Sequence, residues 1–267
     1  MATTPELKLI AEGREAEIYE WEPGKVLRLF RGQRDPASIE YERAAMEAVR
    51  AVVPLVPTVF GVTEVMGRPG IIMERVEGPD LLTIISKKPW TVWSAGRTLG
   101  EVHAQLHSVV APASVPSLLD RARVGSPLVP PHISVWALGE LASLPDGDRL
   151  LHGDFHPGNI LMTAAGPVVI DWPNTSRGNP EADFGRSLLM IRMGELPPGS
   201  PLVIRLGAKV ARGVLRTSYS RAYRHARKVD GAAVARWEVL RAADRLADDI
   251  PGERAGLLAI LEKAMEG

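Results

Sequence analysis

A segment near the middle of the chain constrains its fold and chemistry more than any other part. It runs LLHGDFHPGNIL over residues 150–161 and is followed by VVIDW at residues 168–172. Apolar ends anchor a loop that carries Asp154 and Asn159. The β-branched run is typical of a buried strand, and Asp171 stands at its end, 12 residues beyond Asn159. That spacing leaves room for a hairpin through residues 164–167.

These three side chains are of the kind that phosphoryl transfer requires. One carboxylate must orient and deprotonate the attacking hydroxyl, while oxygen ligands hold the magnesium ion on the nucleotide phosphates. A carboxylate at the end of a rigid strand suits the second task. The pattern therefore indicates a phosphoryl-transfer centre with Asp154 as base or orienter. The alternative for Asp154 is a loop-capping carboxylate without chemistry.

The same strings resemble a known family. HGDFHPGNIL followed by VVIDW is similar to the aminoglycoside phosphotransferase and choline kinase family, which shares the protein kinase-like fold. The resemblance implies an α+β, bilobal protein, with a small antiparallel-sheet N-lobe that has one helix and a larger, mainly helical C-lobe. It also implies that Asp154 is catalytic and that Asn159 and Asp171 bind Mg²⁺. ATP or GTP would give its γ-phosphate to a hydroxyl of a sugar, amino alcohol or antibiotic-like molecule.

A second motif, Asp183-Phe184-Gly185, spells the metal-binding tripeptide of protein kinases. Asn179 and the proline after it mark a helix start, which places Asp183 in the first helical turn, where a carboxylate faces the positive end of the dipole. No strand precedes it. A structural role, including a brace for the catalytic loop, is favoured over metal binding, and Asp183 is kept as a candidate substrate contact.

Two pairs of histidines invite a zinc interpretation. His152 and His156 flank the catalytic aspartate, but the Pro-Gly pair that follows prevents a regular helix, so hydrogen bonds that stabilise the loop are favoured. His103 and His107 do share one helical face. No third ligand is evident in the sequence, so packing inside the protein is favoured for them.

The nucleotide lobe needs a cation on a strand and a helical glutamate to hold it. Lys25 and Arg28 are the choices, and they point to opposite faces because they differ by three positions. The family resemblance maps the phosphate-binding cation to Arg28, although arginine and lysine are not interchangeable. Helical phase favours Glu42 over Glu40 as its partner, because Glu42 borders the apolar face.

Backbone contacts with the nucleotide are predicted at two further places. Gly13 is the single glycine of a weak glycine-rich loop at residues 11–16. Residues 70–78 resemble a hinge that binds adenine, with Glu74 and Val76 as the contacts. A buried strand that ends at a turn is the alternative for this segment, and it is compatible with the hinge.

A shift in composition divides the chain into lobes. Strand-like runs and one helix fill residues 1–76, which are predicted to bind the nucleotide. A turn-rich linker covers residues 77–80. The mainly helical remainder, residues 81–267, is predicted to hold the catalytic loop and the acceptor.

The sequence leaves the acceptor open, but two surfaces bear on it. Residues 196–229 contain no acid, and four basic residues repeat there at helical spacing: Arg205, Lys209, Arg212 and Arg216. This stripe is either a solvated face or an attractor of anions, and it suits a polycationic aminoglycoside poorly. The second surface is a predicted helical face that would grip a sugar or an amine, with an ordinary amphipathic exterior as the alternative. Its residues are Trp237, Arg241, Asp244 and Asp248.

Composition excludes several classes of protein. The chain has no cysteine, so disulfides, thiolate metal sites and cysteine nucleophiles are ruled out. Its 32 basic and 32 acidic residues balance, which argues against a nucleic-acid partner. No leader pattern or membrane span is recognised. We therefore expect a cytoplasmic protein that binds a nucleotide and a small hydroxyl substrate but no membrane; the oligomeric state stays open.

Two other functions compete with a small-molecule kinase. A nucleotide-binding regulatory protein with little transfer activity is favoured by Arg28 and the sparse glycine loop, but a pure binder needs no base at Asp154. A protein Ser/Thr kinase is disfavoured, because no activation segment is recognised between Asp171 and Asn179.

Overall fold

The computed structural model of the chain describes residues 7–13, 15–32, 34–194, 201–250 and 252–266. They form two compact units, the first made of Met1–Pro79 and Leu161–Pro173, the second of Asp80–Ile160 and Asn174–Gly267. The division after Pro79 falls inside the linker predicted at residues 77–80. Residues 161–173, predicted for the C-lobe, belong instead to the first unit, because Met162 N donates to Pro79 O and Val169 N to Leu55 O.

The first unit is built on an antiparallel sheet of five strands in the order β1-β2-β3-β5-β4. The strands are β1 (Leu9–Glu12), β2 (Ala16–Glu20), β3 (Lys25–Phe30), β4 (Val59–Val65) and β5 (Arg68–Glu74). The central strand β3 is buried over most of its length, as its apolar sequence KVLRLF requires. Arg28 is its buried charged residue, and it lies opposite Ile18 of β2 and Ile71 of β5.

One long helix and one hairpin complete this unit. Helix α1 (Pro36–Arg50) packs against β4 and β5. It begins at Pro36, because Asp35 accepts a hydrogen bond from Ala37 N and a proline occupies the first turn. The hairpin consists of β7 (Ile160–Thr163) and β8 (Gly166–Val169).

The second unit is mainly helical. Its helices are α2 (Leu81–Lys87), α3 (Val92–Leu106), α4 (Leu118–Arg121), α5 (Pro131–Ser143), α6 (Pro180–Met193), α7 (Leu202–Ala226), α8 (Gly231–Leu246) and α9 (Arg254–Met265), and a small antiparallel ladder joins β6 (Arg149–Leu151) to β9 (Ser176–Gly178). One cluster of buried apolar residues in this unit lies between α5, α6, α8 and α9. Within the described part of the chain, no helix has the length and apolar character needed to cross a membrane.

Helices α3 and α7 approach each other so closely that α3 requires glycine at the contact. A Cβ atom on Gly100 would lie 2.5 Å from Tyr219 O, and one on Gly96 would lie 2.9 Å from Leu215 O. Both partners are backbone atoms, which cannot swing aside as the end of a side chain can. The two glycines therefore set the distance between these helices.

We expect Gly100→Ala to lower the free energy of unfolding by about 1–3 kcal/mol, the usual range for overpacking. Gly139→Ala is the matched control, because no described atom lies within 4 Å of a Cβ at this position in α5. Removing a helical glycine there should stabilise the protein by roughly 0.5–1 kcal/mol. Urea unfolding of both variants measures the difference. Equal stabilisation by both would contradict the close contact of α3 with α7.

Candidate active site

The predicted catalytic loop follows β6 in the second unit and is fixed by backbone contacts. Gly153 has φ of 81°, and a Cβ atom there would lie 2.3 Å from Asn174 O. Only glycine combines this backbone conformation with so close an approach. Thr175 Oγ1 donates to Leu151 O at 2.9 Å. The loop therefore leaves the β6-β9 ladder along a defined path.

Asp154 is held in its ionised form. Its side chain is 24% exposed, and its Oδ2 lies 3.7 Å from His156 Nε2. Burial alone would raise the pKa of Asp154, but favourable interactions with His156 and with the Arg186 guanidinium outweigh it and lower the pKa below its ordinary value. At neutral pH the loop thus presents a carboxylate that can accept a hydrogen bond from a hydroxyl group.

Asn159 is oriented by the same loop. Its Nδ2 donates to Asp154 O at 2.9 Å, and its backbone N donates to His156 O at 2.9 Å. The hydrogen bond to Asp154 O uses the amide NH₂ and not Oδ1. That oxygen is a suitable ligand for a hard cation such as Mg²⁺.

The histidines of the loop cap its backbone, and the predicted hydrogen-bonding role is confirmed. His152 Nδ1 accepts from Asp154 N at 3.2 Å, and His156 Nδ1 accepts from Gly158 N at 3.1 Å. Each ring thereby stabilises a turn next to one of the functional side chains.

Asp183 braces the loop from beneath. It lies in the first turn of α6, whose N-cap is Asn179 as predicted. Its carboxylate accepts from His152 N at 2.7 Å and from Gly153 N at 3.0 Å. The side chain is 2% exposed. Asp183 as a substrate contact is therefore wrong, because the buried carboxylate is engaged by the loop backbone.

Two tyrosine-histidine pairs complete the surroundings of this carboxylate. His103 Nε2 lies 3.2 Å and His107 Nε2 3.3 Å from Asp183 Oδ2. Their Nδ1 atoms lie 2.7 Å from Tyr219 Oη and 2.6 Å from Tyr223 Oη. Each ring can thus donate to the carboxylate and accept from a tyrosine. The three possible metal ligands do cluster, but hydrogen bonds account for every ring nitrogen, and the predicted packed role of both histidines is confirmed.

The buried histidines make stability depend on pH. Burial lowers the pKa of His103 to about 3 and also lowers that of His107. The unfolded chain binds these protons near pH 6.5, whereas the folded protein does not, so acid favours unfolding. We expect the free energy of unfolding to fall by up to about 1.4 kcal/mol per pH unit through His103 as the pH drops from 6.5 to 5, and His107 contributes in the same direction.

Chemical denaturation across this pH range, before the carboxylates titrate, measures the slope. His103→Gln should reduce the slope by about one proton, because glutamine does not titrate. The control is His132→Gln, since His132 is exposed. A slope that is the same in the wild type and in His103→Gln would contradict the neutral, buried state of His103.

The first unit holds the predicted phosphate cation and its partner. Arg28 Nη1 donates to Glu42 Oε1, and Nη2 donates to Asp171 Oδ1 at 2.8 Å. The predicted pairing of Arg28 with Glu42 is thus confirmed. Burial opposes the charge on Arg28, but Asp171 and Glu42 outweigh it and raise its pKa. Lys25 instead pairs with Glu22 beside the turn, at 2.7 Å.

Asp171 stands in an unusual backbone conformation. The predicted strand 168–172 ends at Val169, two residues before it. Asp171 has φ of 67°, in the left-handed region that non-glycine residues rarely adopt. Such outliers often occur where a side chain is positioned for function. Here the conformation accompanies the ion pair between Asp171 and Arg28.

The other predicted nucleotide residues lie at the ends of strands. Gly13 follows β1, and its N donates to Ala16 O at 2.8 Å. Glu74 ends β5, and its N donates to Thr58 O at 2.8 Å. The Glu74 carboxylate accepts from Thr58 N and Oγ1, both at 2.9 Å. The backbone N of Glu74 is thus engaged within the unit, and the adenine contacts of Glu74 and Val76 stay predictions.

The predicted substrate face of α8 is divided in the structure. Trp237 is 1% exposed and packs in the core of the second unit, so as a substrate contact it is wrong. Arg241 and Asp244 are also buried, but they line a small cavity beside Gly153. Asp248 pairs with Arg186 at 3.1 Å. The face is therefore part core and part polar cavity.

The basic stripe lies on α7. Arg205 and Lys209 are exposed, and Arg216 pairs with Glu238 at 3.1 Å. These surroundings favour the solvated-face alternative.

Comparison with known proteins decides the family. Residues 6–217 match the model of the phosphotransferase enzyme family. The chain belongs to this family. No curated protein sequence matches it significantly.

Solved structures add the fold of this phosphotransferase. An amicoumacin kinase in complex with AMP-PNP, Ca²⁺ and Ami aligns with a TM-score of 0.65 at 15% identity, over 97% of this chain and 88% of that one. Choline kinase from Cryptosporidium parvum Iowa II aligns with a TM-score of 0.58 at 13% identity, over 100% and 90%. The macrolide 2'-phosphotransferase MphH from Brachybacterium faecium aligns with a TM-score of 0.51 at 22% identity, over 96% of this chain and 91% of that one.

These likenesses confirm the protein kinase-like fold, and with the family they make the chain a small-molecule phosphotransferase. Arg186 is a neighbour of Asp154 that was not predicted from the sequence. A signal existed, because Arg186 follows Asp183 by three positions and so shares its face of α6. Arg121 and Arg123, which line the same cavity as Arg241, carry no pattern that would single them out.

Proposed function

We propose that this phosphotransferase moves the γ-phosphate of ATP or GTP to a hydroxyl group of a small molecule. The observation that carries the proposal is the ionised Asp154 on a loop whose backbone is held by the buried Asp183. A carboxylate fixed in this way can orient an attacking hydroxyl group with little reorganisation.

Asp154 would accept the proton of the acceptor hydroxyl. Its lowered pKa makes it a weak base, so positioning of the nucleophile should contribute more than early deprotonation. That suits phosphoryl transfer, whose loose transition state needs little activation of the nucleophile. Asp154 then takes the proton late, as the new bond between phosphorus and oxygen forms.

Arg28 is the proposed partner of the nucleotide phosphates in the first unit, with Glu42 to hold it. Arg28 is 9% exposed and its guanidinium is paired with two carboxylates, so the group is fixed in orientation. Gly13, Glu74 and Val76 are the proposed backbone contacts of the nucleotide.

Asn159 and Asp171 are the residues that we propose to hold Mg²⁺. Their donor atoms, an amide oxygen and a carboxylate, are the oxygen ligands that this ion prefers. The hydrogen bond from Asn159 Nδ2 to Asp154 O, which does not use Oδ1, supports the assignment. When bound, the ion neutralises negative charge on the phosphates.

Nucleotide diphosphate release from ATP and from GTP, with Mg²⁺ and a panel of hydroxyl acceptors, tests this function. The panel should include sugars, amino alcohols, hydroxy acids, sugar phosphates, aminoglycosides and macrolides. We expect acceptor-dependent release with at least one of these classes and one preferred nucleotide. Magnesium-dependent thermal stabilisation by a nucleotide without transfer to any acceptor would favour a regulatory nucleotide-binding protein.

A further inference from the structure

A small cavity in the second unit opens beside the catalytic loop and is lined largely by arginines. Its volume is about 100 Å³, and Gly153, the residue before Asp154, forms part of its wall. A single water needs roughly 10–15 Å³ of such space. The cavity therefore has room for a carboxylate or a phosphate group.

Guanidinium groups outnumber carboxylates in the lining of this cavity. Four guanidinium groups line it, those of Arg121, Arg123, Arg186 and Arg241, against the single carboxylate of Asp244. Asp248 pairs with Arg123 and Arg186, and the carboxylates of Asp154 and Asp183 also favour the charged forms of Arg186 and Arg241. Of the four arginines, Arg186 and Arg241 are buried, whereas the Arg123 side chain is 46% exposed. The lining itself is therefore positive and can attract an anion.

Two of the arginines are buried without complete hydrogen bonding. Arg186 is 2% and Arg241 7% exposed. Their Nε atoms have no hydrogen-bond partner among the described residues, and neither has Oγ of the buried Ser176, which also lines the cavity. Buried donors are nearly always satisfied in folded proteins. These three groups are therefore unsatisfied donors within residues that line the cavity.

Arg241 shares its carboxylate partner with other groups. Its Nη1 lies 3.1 Å from Asp244 Oδ2. The same oxygen also accepts from Arg186 Nη1 at 3.4 Å, and Asp244 Oδ1 accepts from Arg123 N at 2.6 Å. Burial lowers the pKa of Arg241 despite Asp244, and Arg186 lowers it further. An anion in the cavity would stabilise the charged guanidinium of Arg241 and so oppose both the cost of its burial and the repulsion by Arg186.

We propose that this cavity binds an anionic group of the acceptor, a carboxylate or a phosphate, and so holds the acceptor with its hydroxyl at Asp154. The role of that hydroxyl as phosphate acceptor rests on the proposed function, whereas the anion site does not. The acceptor would be a small hydroxy acid or a phosphorylated alcohol.

The chemical step is the transfer already described. The acceptor oxygen forms a bond to the γ-phosphorus, the bond from that phosphorus to the bridging oxygen breaks, and the nucleotide diphosphate leaves. The hydroxyl proton goes to Asp154. The arginines take no proton and form no bond to the γ-phosphate; they only position the acceptor.

The anion site is tested first without a nucleotide. Thermal unfolding is measured in sodium phosphate and in sodium acetate, each against sodium chloride at equal ionic strength, for the wild type, Arg241→Gln and Arg236→Gln. Arg236 is the control because it lies on the same helix but is exposed and pairs with Glu140. We expect one of the two anions to raise the melting temperature of the wild type and of Arg236→Gln by several degrees.

In Arg241→Gln that shift should be lost, and any phosphate effect that remains belongs to the nucleotide lobe. Should Arg241→Gln not unfold cooperatively, Arg121→Gln replaces it. The same shift in the cavity variant as in the wild type, or no shift in any protein, would overturn the anion site. Whether phosphate or acetate gives the effect identifies the anionic group.

Acceptor pairs then link the site to catalysis. Glycerol is compared with glycerate and glycerol 3-phosphate, and serinol with serine, in the assay of nucleotide diphosphate release. We expect kcat/KM at least tenfold higher for the anionic member of a pair and loss of that preference in Arg241→Gln through a raised KM. Equal use of neutral and anionic acceptors overturns this inference but keeps the proposed function. A thermal shift that depends on Arg241, without phosphate transfer to any acceptor, keeps the anion site but overturns the proposed function.

Discussion

Asp154→Asn should reduce turnover by about 10²–10⁴-fold, the range typical for loss of a positioned acid-base group. Asparagine has nearly the same shape but cannot take the hydroxyl proton, and its amide cannot accept through both terminal atoms. Because the predicted nucleotide contacts lie in the first unit, the dissociation constant for the nucleotide should change little. Acceptor-dependent nucleotide diphosphate release and nucleotide-induced thermal stabilisation measure the two quantities separately.

The control for this variant is Asp148→Asn. Asp148 precedes β6 in the same unit and is largely exposed, with 61% of its side chain accessible, so the same change of charge should leave turnover unaltered. Circular dichroism checks that both variants are folded. A turnover near the wild-type value in Asp154→Asn would remove Asp154 from the reaction.

Features set by local spacing could be predicted from the sequence. The pairing of Arg28 with Glu42 followed from strand alternation, family resemblance and helical phase, and the start of α6 followed from its cap and proline. The catalytic loop was recognisable because Asp154 and Asn159 are close in sequence. In each case the decisive contact depends on a short segment and a known backbone geometry.

Features that depend on which surface covers a helix could not be predicted. The polar residues of α8 suggested a substrate-binding surface exposed to solvent, but Trp237 lies in the core and Arg241 is buried. Periodicity separates polar from apolar faces of a helix. A face that lines a buried polar cavity and a face exposed to solvent have the same periodicity in the sequence. The same limit applied to residues 161–173, since long-range backbone hydrogen bonds place them in the first unit.

The place of Asp183 at the start of a helix was predictable from the sequence, but the four hydrogen-bond donors to its carboxylate were not. His103, His107, His152 and Gly153 all donate to one buried carboxylate from two separate segments. Burial alone would raise the pKa of Asp183, yet hydrogen bonds from the two histidines outweigh it and lower the pKa well below its ordinary value. The ionised carboxylate is thus the common anchor of α3, α6 and the catalytic loop.

Asp183→Ala should therefore destabilise the protein by about 3–5 kcal/mol, as expected when one partner of a buried polar network is removed. Four donors would be left without an acceptor in a site that water cannot easily enter. For a chain of this size the melting temperature should fall by roughly 6–20 °C. Turnover should also fall below the transition temperature, because the backbone before Asp154 loses its support. The matched control is Glu181→Gln, which removes a charge from the same turn of α6, where no described hydrogen bond joins the Glu181 carboxylate to the catalytic loop, and it should cost less than about 1 kcal/mol. If Asp183→Ala and Glu181→Gln unfolded at the same temperature, the carboxylate would not be the anchor of the loop, and the rigidity of Asp154 would need another source.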